Sequence, residues 1–455
     1  MDMQYMAYWL NGNGTQNLLE PDLPLQDVKV TREMNGLGRL TASLAPEWGK
    51  TTAFSGRPVI QEWATAIYVE IAGDCFDGFL VVETEDDNDK LTIDAVGFIG
   101  YGEGQPWPDR SSSFNRGNVS VSTIISTIWS KIQSYSTSNI GLRVDTLGPS
   151  DSLQAWPTVG NPVEDELPVP RWYGTIGVSP PGKQPKAPSY PKSGTTAAKK
   201  KKYAADRKAY ETEMLFWRAH KSVYDKLKRS YEDRKRQYET DLKARNKAIE
   251  DAKFKMNYWS THDLLSTFQQ LAQETGFSYR VDHTRSGNDH THTLRCRPGR
   301  LGVRRPQFRF IEGENVYSIP KVTHQGDEKV TSAVVLGNGE GSKMKWLQKS
   351  RSAGGSHGLR RARVFADKTL TRTAQLDARA KEVLNAYSDP IDIEEFVVID
   401  HGLAPIRAFD VGDEVELQTL SRRAGNFKRW VTIRSISLDP EKGQMSVKVV
   451  PVDQE

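Results

Sequence analysis

The chain is poor in cysteine, with only Cys75 and Cys296 in 455 residues. That excludes a disulfide framework and any zinc site built on paired Cys-x-x-Cys spacing. Free, buried thiols in a protein assembled in the cytosol fit best. Long apolar runs are missing as well, and nothing approaches the roughly 20 residues a membrane-spanning helix needs. The stretch from Met1 to Leu10 has neither a basic start nor an apolar core, so no secretory signal is expected there. Catalytic signatures are absent too: there is no Walker loop, GxSxG elbow, HExxH pair or kinase motif set. Gly12-Asn13-Gly14 and the run Gly337 to Gly341 are too short for dinucleotide sites and read as turns. The acidic run Glu83, Glu85, Asp86, Asp87 and Asp89 lacks the spacing and glycine of a calcium loop and reads as a solvated hairpin tip. With no paired-carboxylate or nucleophile constellation, no catalytic residue and no cofactor are assigned.

Glycine and proline are both lacking from Thr195 to Thr275. Uninterrupted helix is therefore expected over about Thr196 to Tyr258, roughly 95 Å at 1.5 Å per residue. On it six aromatics fall on a strict seven-residue repeat: Tyr203, Tyr210, Trp217, Tyr224, Tyr231 and Tyr238. That is the spacing at which a helix presents one seam to a partner. The positions four residues on are Arg207, Met214, Lys221, Lys228, Lys235 and Leu242, mostly charged, so this is no leucine-zipper seam. Large rings with polar tips suit half-buried contact between subunits. The stripe is accordingly assigned as an assembly contact; the alternative is a solvated helix with one aromatic face on its own domain. From Lys199 to Lys255 there are 19 Lys/Arg and 10 Asp/Glu, a net +9 in a chain of net +4, so the remainder is net −5. The interleaved acids favour a soluble rod over a nucleic-acid surface.

The rest alternates between β and helical patterns. Residues 25–100 show turn-punctuated alternation, as in Ala66 to Ile71, then Gly73-Asp74, then Phe76 to Val82. Val121, Ile124, Ile125, Ile128, Trp129 and Ile132 mark one face of a helix over 119–133. A second helix is expected from Thr261 to Glu274, capped by Ser260 and Asp263 and stopped by Gly276. Residues 157–191 hold nine prolines and read as an extended arm. β patterns resume after Gly276, with one more helix from about Thr371 to Ala386. The expected class is α+β: two small antiparallel β-barrel domains with a helical middle and a long inserted helix. The expected division is 1–110 (β), 111–149 with 259–315 (helical and β connection), 150–195 (arm), 196–258 (long helix) and 316–455 (β with one helix).

The best metal candidate is His290-Thr291-His292, with His283 and Asp289 nearby. On a strand both HxH imidazoles share a face, and three copies about an axis would offer six nitrogens to one ion. The plainer reading, an exposed polar hairpin with incidental histidines, is preferred, and no metal ligand is assigned.

Several stretches resemble the minor tail proteins of long-tailed phages of actinobacteria, within the wider family of tail-tip hub proteins. They are Val30-Thr31-Arg32-Glu33-Met34-Asn35-Gly36 through Leu44-Ala45-Pro46, Glu62-Trp63 with Ile67-Tyr68, Gly97-Phe98 with Gly100-Tyr101, and Ile124 to Trp129 before Asn139-Ile140-Gly141-Leu142. The most specific is Arg297-Pro298-Gly299-Arg300-Leu301-Gly302-Val303-Arg304-Arg305, continued by Phe308 to Val316, with Gly337 to Gly341 in the same pattern. The resemblance covers roughly 25–145 and 260–455 and omits the insertion. It implies a homotrimer of paired β-barrels that adapts a six-fold tail tube to a three-fold tip. It also implies contacts with distal tail or tail-tube proteins, the tape-measure protein and other minor tail proteins. The location would be the virion tail tip, assembled in the host cytoplasm, with no membrane and no specific nucleic acid as partner. A receptor- or glycan-binding tail protein is the competing reading, with Trp107, Trp156 and Trp172 as stacking platforms; a wall hydrolase is the third.

Overall fold

The computed structural model describes residues 3–87, 89–107, 110, 113–146, 156–160, 176–193, 195–287, 289–318, 322–324, 330–339, 341–350, 359–368, 370, 373–386, 391–421 and 425–452. The chain divides into two compact units. One comprises Met1–Ser112, Ser120–Pro157 and Asn257–Glu455; the other comprises Ser113–Val119 and Thr158–Met256.

The first unit is α+β and mostly sheet. Its main sheet has 12 strands. The path runs Arg304–Ile311, Glu414–Ser421, Gly425–Asp439, Gln26–Glu33, Arg39–Leu44, Lys90–Gly97, Asp74–Asp87, Thr65–Ile71, Met3–Leu10 and Gln16–Glu20. Gln444–Pro451 pairs with Gly425–Asp439 and with Glu395–Ile399 off this path. Among the described residues the path does not close on itself. The 15-residue strand Gly425–Asp439 is the splice. Its first half pairs with Glu414–Ser421, and its end, Ser435 to Leu438, pairs with Glu33 to Val30. Strands from both ends of the chain thus share one sheet and one contiguous apolar cluster, from Tyr5 and Val30 through Ile67 and Ile93 to Phe310, Val415, Ile436 and Val447.

Alternation places many of these residues. Lys90–Gly97 buries Leu91, Ile93 and Ala95 and leaves their neighbours half-open. Met3–Leu10 escaped the sequence reading because Tyr5, Met6, Ala7 and Tyr8 are all buried, which erases the two-residue period. The expectation of purely antiparallel pairing needs correction. Arg304–Ile311 runs parallel to Glu414–Ser421, Leu142–Asp145 to Asp289–Pro298, and Ser332–Leu336 to Ala362–Ala366. None of these partners is joined by a tight turn, and long connections permit the parallel direction.

Helix α1 (Val121–Ile132) buries the six residues its period marked. Helix α3 (Leu264–Thr275) starts at Asp263, whose carboxylate accepts from Ser266 N, and ends at Gly276 with φ 71°. The two helices meet at Trp129 and Phe268, whose rings lie 6.1 Å apart edge to face. Helix α4 (Thr373–Ala386) packs Leu376, Ala380, Val383 and Leu384 on Ala333 and Val335 of a separate three-stranded sheet.

The second unit holds helix α2 (Ala197–Ala252), 56 residues and about 84 Å long. It ends six residues before the expected Tyr258 because Phe254–Met256 leaves the helix to pair with Phe114–Arg116, burying Met256. Met214 is the one residue of α2 that is fully buried, at 7% exposure.

The first unit carries its own apolar clusters. Replacing residues 161–252 by a short Gly/Ser linker is therefore expected to leave it folded, with a melting midpoint within a few degrees of the full chain by calorimetry. An insoluble product would make the insertion part of the core.

Candidate functional site

Arg32 sits on the inward face of Gln26–Glu33, two and four residues from Val30 and Val28. A guanidinium thus occupies an apolar row, buried at 5% exposure. Its Nε and Nη2 donate to Asp410 at 2.8 and 3.0 Å, and Nη2 also donates to Asp282 at 3.0 Å. Its Nη1 donates to the Phe76 carbonyl at 3.0 Å and lies 3.3 Å from Asp77. Arg280 joins the cluster through Asp282 at 2.7 Å and Asp410 at 3.5 Å. Burial alone would raise the Asp410 carboxyl, but Arg32 and Arg280 hold it below the usual range. Burial likewise opposes the charge on Arg32, and the carboxylates of Asp410, Asp77 and Asp282 outweigh it, pushing its pKa up. One side chain therefore ties the N-terminal strands, the hairpin strand Phe277–Ser286 and the C-terminal loop before Glu414.

Beside it lies a buried aromatic and imidazole stack. The HxH pair does share a face of Asp289–Pro298, but His290, His292 and His283 are buried, which corrects the expectation of an exposed hairpin. The rings turn into the chain's own sheet, so they cannot converge on an axis between copies. His290 stacks on Tyr68 with centroids 3.9 Å apart, and His292 on Phe98 at 4.1 Å. Gly78 makes room: a Cβ there would stand 2.7 Å from the Tyr68 ring and 2.9 Å from His283. The hydrogen bonds fix an order. Gln16 Nε2 donates to the His290 carbonyl at 2.8 Å, so its Oε1 accepts from Tyr68 Oη at 2.7 Å. Tyr68 Oη is then left to accept from His292 Nε2 at 3.2 Å, and His292 Nδ1 to accept from His283 Nδ1 at 3.0 Å. His283 Nε2 lies 3.2 Å from Asp77 Oδ1, out of line for a hydrogen bond. The Glu70 carboxylate takes Arg285 at 2.6 Å and faces His290 Nε2 at 3.4 Å. Burial and the neighbouring charges of His283 and Arg285 push His290 down to about 4, and burial with both other histidines pushes His292 well below its usual value. Among the described residues no group of three or more His, Cys, Asp or Glu is placed to hold a metal. Burial raises both thiols, Cys75 and Cys296.

The motif around Arg297 forms the next joint. Arg300 and Arg304 grip Glu414 at 2.6 and 2.7 Å, Arg305 takes Asp413 at 2.9 Å, and Val303 N donates to Asp413 at 2.8 Å. Buried Asn315 bridges Arg309 O and Ile311 N, at 2.8 and 2.7 Å. Asn35 accepts from Tyr279 N at 2.8 Å through its side chain and from Tyr279 Oη at 3.0 Å through its carbonyl. A cleft of about 370 Å³ beside Arg32 carries five guanidiniums, of Arg32, Arg280, Arg295, Arg305 and Arg407. Each already faces a carboxylate, Arg295 that of Asp282 and Arg407 that of Asp74. The arrangement is a clamp of paired guanidiniums and carboxylates.

The aromatic stripe lies in the other unit. Tyr203, Tyr210, Trp217, Tyr224, Tyr231 and Tyr238 are all half-buried. Part of the cover is the proline-rich arm of the same chain. Trp217 Nε1 donates to Gly182 O at 2.8 Å, and Tyr190 meets Tyr203 edge to face at 5.0 Å. Lys221 Nζ stands 5.0 Å from the Trp217 ring centre. Of the candidate stacking tryptophans, Trp107 is buried and Trp156 is half-buried with its Nε1 on Thr146 O at 2.8 Å; Trp172 lies outside the described residues.

Neither a protein-family model nor a curated protein matches the chain. Solved structures to which it is similar include the 43 kDa tail protein of prophage MuSo2 from Shewanella oneidensis, at 10% identity and TM-score 0.46 over 99% of both chains. Another is prophage tail protein gp18 from Listeria monocytogenes EGD-e, at 11% identity and TM-score 0.44, covering 98% of this chain and 94% of that one. A third is the E. coli c3393 protein, described as a type VI secretion component with structural similarity to T4 bacteriophage tail proteins gp27 and gp5; identity is 7% and TM-score 0.37 over 94% of this chain and 74% of that one.

Removing Arg32 takes the shared cation from the buried Asp77 carboxylate and from the half-buried ones of Asp282 and Asp410. Arg32→Leu is expected to cost about 3–5 kcal/mol, read from the urea midpoint. A cost under about 1 kcal/mol would show that the cluster is not tightly desolvated.

The depressed His290 sets a pH window. From the ordinary histidine value of 6.5 down to about 4 the unfolded chain takes up a proton that folded His290 refuses. The stabilisation is therefore complete above the upper value and lost as pH falls through the window. Melting midpoints of His290→Gln should fall less steeply there than those of the parent. Equal slopes would place the titration elsewhere.

Proposed function

We propose that the chain is a structural protein of a phage tail, in the position of the trimeric hub that closes a six-fold tube and adapts it to a three-fold tip. The observation that carries this is the clamp. The stretches that resemble tail-tip proteins of actinobacterial siphophages, around Arg32, Asn35, Tyr68 and Arg297 to Val316, supply at least one partner of its main contacts. On this reading residues 1–110 and 316–455 are the two barrel-like domains, 111–149 and 259–315 connect them, and 150–195 and 196–258 form the inserted arm and helix. Partners are two further copies, tail-tube or distal tail proteins, the tape-measure protein and other minor tail proteins, in a virion assembled in the host cytoplasm. The half-open stripe from Tyr203 to Tyr238 is the assembly contact of the rod. The receptor-binding alternative is weakened by the burial of Trp107.

The full chain is expected to have the mass of three copies by mass photometry, and a symmetric tail-tip map should contain three. A lone monomer, or six equivalent copies, overturns the hub assignment. Replacing Tyr210, Trp217 and Tyr224 together by Ser should leave the melting of the first unit unchanged and lower incorporation into tails. A large cooperative loss of stability in the isolated chain would instead make the stripe an intramolecular core.

A further inference from the structure

Helix α2 carries a second periodicity on a different face. Ala198, Lys202, Ala205, Ala209, Thr212, Phe216, Ala219 and Val223 are spaced alternately four and three residues apart, the average 3.5-residue period of a coiled-coil seam. All eight are exposed. Phe216 is 73% exposed and Val223 50%. Phe216 precedes Trp217 of the aromatic stripe by one residue, which is about 100° around the helix. The proline-rich arm therefore engages one face and leaves this one in water. Six of the eight positions are apolar, and four further seam positions on, Lys226, Ser230, Asp233 and Gln237, the pattern has become polar.

We propose that the segment Ala198–Val223 of α2 is a docking surface for other copies of this chain, which pair along it parallel and in register. The alanines allow close approach of helix axes, at the low end of the usual 8–10 Å, while Phe216 and Val223 supply the apolar area. The flanking charges choose the occupant and its direction. Lys201 and Lys208 line one edge of the seam, and Asp206 and Glu213 line the other. Among the described residues none of these four side chains makes an ion pair within its own chain. In a parallel, in-register assembly each residue on the first edge reaches the residue five positions later on the second edge of its neighbour. Lys201 then faces Asp206 and Lys208 faces Glu213 of the next copy. In an antiparallel pair each edge would meet itself, lysine against lysine and acid against acid, which is unfavourable. Lys202, the one charge inside the seam, meets its own copies in this register and lowers the stability of that end of the contact. The contact spans about 39 Å and ends where the polar positions begin. The proposal rests on the hub reading for the number of copies and not for the surface itself.

The test uses the full chain under mild oxidation. Thr212→Cys places a thiol at a seam position, where identical residues meet in the parallel register. Arg218→Cys places one on the same helix off the seam. Thr212→Cys is expected to form an intersubunit disulfide more than tenfold faster than Arg218→Cys, and adding Phe216→Glu with Val223→Glu should abolish the difference. Mass photometry is run on each sample. Three copies with preferential Thr212 cross-linking support both the surface and the hub. Three copies without that preference overturn the surface and leave the hub standing. Preferential cross-linking at a two-copy mass supports the surface and overturns the trimer. Monomers without cross-links overturn both.

Discussion

A guanidinium withdrawn from water is the constraint on which the first unit depends. The penalty for burying such an ion is several kcal/mol even after relaxation. Arg32 offsets it with Asp77, Asp282 and Asp410, which come from a sheet strand, a hairpin and a loop spread over more than 300 residues of sequence. An arrangement that fails to bring all three together leaves a buried charge unmatched. The cluster contributes little net stability over a well-packed apolar core. The same logic extends outward through Glu414 and Asp413, which anchor the arginines after Arg297.

The imidazole stack works by the opposite means. Tyr68, His290, His292 and Phe98 form an almost apolar stack, and each polar atom along the chain from Gln16 to His283 has its direction dictated by its predecessor. Such a network tolerates neutral rings and resists extra protons, which is why burial holds His290 and His292 low. The second unit follows neither pattern. Helix α2 buries Met214 and little else. It relies on uninterrupted helix formers and short-range ion pairs such as Arg207 with Glu211 at 3.1 Å. A rod of that kind gains by lying against something, and the proline-rich arm is one such cover through Gly182 and Tyr190.

What the sequence by itself determined was local. Helices α1 and α3, the Asp263 cap and the Gly276 stop follow from period and capping chemistry, and each needs only residues within a turn or two. The stretch without glycine or proline likewise predicts α2, whose end shifted because Phe254 and Met256 found a strand partner at Phe114–Arg116, more than 130 residues back. The class α+β was legible for the same reason. Several residues in the stretches that carry the resemblance, Arg32 and Asn35 among them, make tertiary contacts whose partners their own segments do not reveal. Only the tertiary structure decided that Met3–Leu10 is a strand, that Gly425–Asp439 splices the two ends of the chain into one sheet, and that the histidines face inward. Those outcomes hang on pairs such as Arg32 with Asp410 and Asn35 with Tyr279, hundreds of positions apart. Burial and charge pairing are set by what the distant chain brings near, and periodicity in one segment holds no record of it.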